Sequence, residues 1–199
     1  VRILPLPSVG HEYADRAIRR VAVEVPPGGA LAAGDVHWAF SGLETAHPNT
    51  GVVDPFVLTP ADDERMLGHY TAVARHWRTV TPAALPEAAK RRRITPLRQR
   101  EEAKSAAERT AEESQAINAV RIALRHGGVR AEAARIHVQR EPFETKGSRA
   151  ETFADGTRFT KERLWHVEIE LAASVDGPLV LGDGRFLGLG VLAPVRTTP

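Results

Sequence analysis

Apolar and polar residues alternate most cleanly over Leu164–Leu171. Trp165, Val167, Ile169 and Leu171 fall on one side, and His166, Glu168 and Glu170 on the other, which is the two-residue period of a half-buried strand. The same reading gives strands at Val1–Pro7, Ile18–Val25, Trp77–Leu85, Ala134–Arg140 and Phe186–Ala193. Glu101–His126 reads as a helix, rich in Ala, Glu, Lys and Arg, with apolar positions at Ile117, Val120 and Leu124 and a Gly127-Gly128 stop. A weaker helix is expected from Ala30 to about Phe40, and Asp62–His76 fits either a helix or irregular chain. Ser8–Asp15 reads as a turn or short helical segment, His47–Thr59 as a loop, Pro86–Arg100 as a basic loop and Glu141–Thr160 as a polar connection.

From Trp77 onward the order is strand, helix, strand, strand, short apolar turn, strand. That order is close to the βαββαβ ferredoxin-like arrangement, with its second helix nearly squeezed out between Ala172 and Leu181. The expected class is therefore α+β with a ferredoxin-like (RRM-type) fold in tandem. Residues 1–76 would form a partial first half, and residues 77–199 a more complete second domain. Sheets of this kind recur as RNA-binding surfaces, but a fold by itself does not give a function.

The last apolar stretch, Gly177–Gly190, holds five glycines around Arg185. A turn with Gly182, Gly184, Gly188 and Gly190 allows close backbone approach and can present N–H groups to a phosphate chain, with Arg185 as a fixed cation. The structural alternative is tight packing of the last strand. Asp183 would repel phosphate unless it points away or pairs with Arg185. No helix follows these glycines, so the stretch is unlike a dinucleotide-binding fingerprint. Lys90, Arg91, Arg92, Arg93, Arg98 and Arg100 put six cations in eleven residues, either as a solvated run or as an arm for nucleic acid.

Composition narrows the class further. The 199 residues include no cysteine, which excludes disulfides and thiolate zinc sites. The formal charge is only +2, yet 27 Lys and Arg leave room for a local basic surface. There is no apolar run long enough to span a bilayer and no signal peptide, so a cytoplasmic protein without a membrane partner is expected. The opening at Val1 rather than methionine suggests a fragment or processed product.

Four segments then stand together: Val1–Asp15, Trp77–Pro86, Leu164–Ile169 and Gly177–Gly190. In this order they resemble a CRISPR-associated family of the type I-G (formerly I-U) interference systems, a fusion of two RAMP-type subunits. One subunit caps the 5′ handle of the guide RNA (the Cas-five role). The other cuts the repeat transcript and keeps its 3′ hairpin (the Cas-six role). The chain resembles the C-terminal, Cas-six-like part. The resemblance implies antiviral defence within a Cascade complex, with repeat or guide RNA, the backbone and large subunits and a Cas-five-like portion as partners. It also implies RNA cleavage without a metal or other cofactor.

On that resemblance His11 is the first choice for proton transfer, since it follows Val9-Gly10 on a turn after a strand. Tyr13 and Arg19 would assist catalysis, and Arg16 and Arg20 would hold RNA together with Lys90–Arg93, Arg98, Arg185 and the four glycines. The local reading has His11 and Asp15 capping a short helix. Asp15 stands where a zinc histidine of H-E-x-x-H is required, so a metalloprotease is excluded. His137 and His166 form a second pair on strands expected to be neighbours, either side by side or packed away. His37, His47, His69, His76 and His126 show no partner pattern. A non-catalytic RNA-binding subunit and a generic ferredoxin-like interaction domain are the alternatives.

Overall fold

The protein is described from a computed structural model over residues 1–9, 14, 18–25, 28–40, 44–46, 53–55, 61, 64–86 and 106–195. The elements in chain order are β1 (Arg2–Pro5), β2 (Val21–Glu24), α1 (Ala33–Phe40), β3 (Glu44–Ala46), β4 (Val53–Pro55) and α2 (Glu64–Tyr70). They continue with β5 (Val73–Thr79), β6 (Ala83–Ala84), α3 (Ala106–His126), β7 (Ala133–Gln139), β8 (Leu164–Asp176) and β9 (Leu192–Pro194).

Strand β8 is the spine of the main sheet. It pairs antiparallel with β7 on one side and with β5 on the other, and β9 closes the far edge of β5. The order β9-β5-β8-β7 is that of an antiparallel ferredoxin-like sheet, so the α+β ferredoxin-like expectation holds. The two-residue strand β6 extends the β5 side against the start of β8.

Trp77, Ile169 and Ile136 lie in register across the three central strands. Trp77 and Ile169 are fully buried against α3, together with Val167 and Leu171. Helix α3 turns Ala116, Ala119, Val120, Ala123 and Leu124 toward them, a spacing of three and four residues that makes one helical face. The helix ends at Gly127 and Gly128, the latter at φ 77°, where Val129 N donates to Leu124 O at 3.0 Å.

A second core joins the N-terminal strands to the back of the last strand. Leu4, Leu6 and Val9 pack with Tyr70, Val180, Val191 and Ala193. The Tyr70 hydroxyl donates to the Pro7 carbonyl at 2.8 Å. Burial, helped by the charge of Glu144, holds that phenol well above its usual pKa, so it stays a donor.

Several boundaries differ from the sequence expectation. Val53–Pro55, inside the expected loop His47–Thr59, pairs with Glu44–Ala46 as a small antiparallel sheet. Strand β5 starts at Val73 and stops at Thr79, because Val80–Pro82 break the strand before β6. Strand β8 runs five residues beyond Leu171. The expected strand Phe186–Ala193 starts only at Leu192. Arg185–Leu187 is instead a turn of 3-10 helix whose Phe186 and Leu187 are exposed, held there by the glycines on either side. Among the described residues, no helix is long and apolar enough to cross a membrane.

Two of those glycines are required by close approach. A side chain at Gly190 would overlap the Leu181 carbonyl oxygen, and one at Gly182 would overlap the Ala84 carbonyl oxygen, both at positive φ (73° and 88°). Gly190→Ala therefore costs about 3 kcal/mol or more, from left-handed strain plus overlap. Gly128→Ala, at a similar φ but with nothing within 4 Å, costs about 1 kcal/mol. Urea unfolding of the two variants checks the ranking; equal losses would contradict it.

Candidate functional site

Part of the backbone of the glycine-rich turn is spent on the fold. Leu181 N donates to Gly190 O at 2.8 Å, Asp183 N to Ala84 O at 2.8 Å and Gly190 N to Pro82 O at 2.9 Å. The Thr81 hydroxyl donates to Gly188 O at 2.9 Å. Gly182, Gly184 and Gly190 are buried, and Gly188 packs against Pro5 of β1. The structure thus gives the glycines a packing role, and the turn offers solvent its tip, Arg185-Phe186-Leu187.

A cavity of about 320 Å³ lies beside that tip, lined by Arg158, Phe159, Arg163, Asp183, Arg185 and Phe186. Its wall is fixed by Arg163, whose Nε donates to the Leu85 carbonyl at 2.7 Å and whose guanidinium pairs with Asp183. Asp183 therefore pairs with Arg163 and not with Arg185. The guanidiniums of Arg158 and Arg163 both lie 5.2 Å from the Phe159 ring centre, and Arg185 lies 5.2 Å from that of Phe186. Phe159 is buried in a small core with Ala84, Ala150, Leu164 and Leu189, so it acts as a rigid floor. Three arginines face one carboxylate, and among the described residues neither Arg158 nor Arg185 has an ion pair. Arg158 and Phe159 were invisible in the sequence, where they read as part of the polar connection Glu141–Thr160, and Arg163, just beyond it, was not singled out.

The face of the sheet away from α3 carries a different cluster. Glu168 accepts from Arg78 Nε at 2.8 Å and lies 2.7 Å from His76 Nε2, while His137 Nδ1 stands 3.7 Å from its other oxygen. Burial raises the pKa of Glu168, but the Arg78 and His76 hydrogen bonds and charges outweigh that and hold it below the usual value. Phe143 closes one side, edge-on to His137 at 5.7 Å and beneath the Arg78 guanidinium at 5.5 Å. Arg135 and Glu170 complete the cavity. His76 thus has a partner that the sequence did not show.

His137 and His166 do not pair. In register His137 faces Glu168, and His166 faces Gln139. His166 is 1% exposed, its Nε2 is 3.0 Å from the Ser148 carbonyl oxygen, and its Nδ1 is 3.4 Å from the Thr79 hydroxyl. Burial drives the imidazole below its ordinary pKa, only partly offset by those hydrogen bonds and by the charge of Glu141. His69 rests edge-on against Tyr70 at 5.6 Å.

Of the other sequence candidates, Arg19 and Arg20 precede β2, and the Arg20 carbonyl accepts from Leu6 N at 2.9 Å. Neither is among the described residues that line the arginine-rich cavity. His11, Tyr13, Arg16, Lys90, Arg91, Arg92, Arg93 and Arg98 lie outside the described residues. Among the described residues, no group of three His, Cys, Asp or Glu side chains is placed to hold a metal ion.

A family described as CRISPR-associated protein, GSU0054 family, matches residues 1–194. The match covers nearly all of the chain, which therefore belongs to this family of CRISPR-associated proteins. No curated protein and no solved structure matches it.

The buried His166 ties stability to pH. Its folded pKa is depressed, so its contribution is complete above the unfolded value of about 6.5 and is lost as pH falls below it. Stability should drop by up to about 1.4 kcal/mol per pH unit in that window. His166→Gln should flatten this slope in urea titrations run from neutral to mildly acid pH. An unchanged slope would contradict a buried neutral imidazole.

Proposed function

We propose that the protein is the Cas-six-like part of the fused Cas-five/Cas-six RAMP protein of type I-G systems. In this reading it cuts CRISPR repeat RNA and keeps the 3′ hairpin of the guide within the cytoplasmic Cascade complex. Residues 1–76 and 77–199 are its two ferredoxin-like halves, and the backbone and large subunits with the Cas-five-like portion are its partners. The observation that carries the reading is a basic, aromatic-floored cavity at the glycine-rich turn of a CRISPR-associated ferredoxin-like protein. Such a site suits a ribose–phosphate chain.

Cleavage in this reading is an internal transesterification. The 2′-oxygen attacks the adjacent phosphorus, its proton passes to a base, and the P–O5′ bond breaks as an acid protonates the departing oxygen. The products are a 2′,3′-cyclic phosphate and a 5′-hydroxyl. His11 is the proposed proton-transfer group, with Tyr13 and Arg19 assisting. Arg16, Arg20, Lys90–Arg93, Arg98, Arg185 and the turn around Gly182, Gly184, Gly188 and Gly190 are proposed to hold the RNA.

A second reading is a non-catalytic subunit that binds guide RNA and caps the complex. It is favoured by one observation: among the described residues, those lining the basic cavity include no histidine. A gel of labelled repeat hairpin with excess EDTA separates the two. Cleavage at one position by the wild type, slowed about 10²- to 10⁴-fold in His11→Ala with binding kept, supports the nuclease. Tight, salt-sensitive binding without a cut leaves the capping role. Absence of binding removes both.

A further inference from the structure

We infer that the cavity beside the glycine-rich turn is a pocket for one unpaired nucleotide, gripped through its phosphate and its base together. The inference rests on the RNA-binding reading above and deepens it.

Since the turn packs its glycines against Ala84, Leu181 and Pro5, recognition falls to the side chains around the tip. The Arg163–Asp183 pair is already satisfied and holds the wall in place. Among the described residues lining the cavity, Arg158 and Arg185 are left as the cations without an ion pair. They approach from two separate segments, the connection before β8 and the tip itself, so an anion between them would link both. Arginine's planar fork suits the paired oxygens of a phosphate.

The second half of the ligand is set by the rings. Phe186 is 60% exposed in the cavity wall, an uncommon place for a phenylalanine, while Phe159, which lines the same cavity, is 4% exposed. Phe186, with the Arg185 guanidinium 5.2 Å from its ring centre, exposes an aromatic ring of the kind on which bases stack whatever their identity. A volume of about 320 Å³ is at the small end of ligand sites. It has room for a single nucleotide and not for a duplex. The pocket therefore takes a base splayed out of the hairpin or of its flanking strand, and RNA is recognised in this way at loops and ends.

Three small probes and three single-residue variants test this without depending on cleavage. Calorimetric titration with adenosine 5′-monophosphate, inorganic phosphate and adenosine should rank the monophosphate tightest, by about tenfold or more. Arg158→Ala and Arg185→Ala should each weaken the monophosphate and phosphate alike. Phe186→Ala should weaken the monophosphate and leave phosphate unchanged. Equal affinity for monophosphate and phosphate, or indifference to Phe186→Ala, overturns the pocket even if repeat RNA still binds elsewhere. Monophosphate binding with the predicted ranking but no binding of repeat RNA keeps the pocket as a free-nucleotide site. That outcome would remove the guide-RNA reading instead.

Discussion

Ala116, Ala119 and Ala123 make one face of α3 nearly flat, which lets the helix settle close onto Trp77, Val167, Ile169 and Leu171. Only one side of the sheet is apolar enough to accept it, because β8 alternates strictly there. The opposite side is then left with Arg78, Glu168, His76 and His137, a row of polar side chains that stays where water reaches it. Large side chains in place of the alanines would lift the helix and open this core.

A second constraint places the basic cavity. The chain between β8 and β9 replaces a whole helix with a compact turn, and the turn is feasible only because backbone meets backbone at Gly182 and Gly190. Its tip is thereby pushed outward beside the segment that carries Arg158 and Arg163. The Arg163–Asp183 pair bridges the two segments, which suits a rigid wall better than a flexible arm. Preorganised cations cost little to arrange when an anion arrives. The same packing draws β1 against the tip through Pro5, so the chain leading toward residue 8 runs beside the turn.

Much of this was legible in the residues. Strand β8 declared itself by alternation, and α3 by composition and its glycine stop. The βαββ-turn-β order from Trp77 followed from those elements. Phe186 and Leu187 misled because apolar residues next to a strand read as core, whereas the turn holds them outside. Val53–Pro55 was hidden by the proline and glycine around it. The cavity was illegible for another reason. Arg163 meets Asp183 across 20 positions, and His76 meets Glu168 across 92, so pairing of that kind is a product of sheet register and not of local pattern.

In the proposed reading RNA lies at the tip and the segment facing it, not on the exposed side of α3. Cross-linking of 4-thiouridine-substituted repeat RNA, followed by mass spectrometry of the peptides, tests this most directly. The account predicts adducts on peptides containing Arg158–Arg163 and Arg185–Leu187. Adducts confined to the Ala106–His126 helix would contradict it.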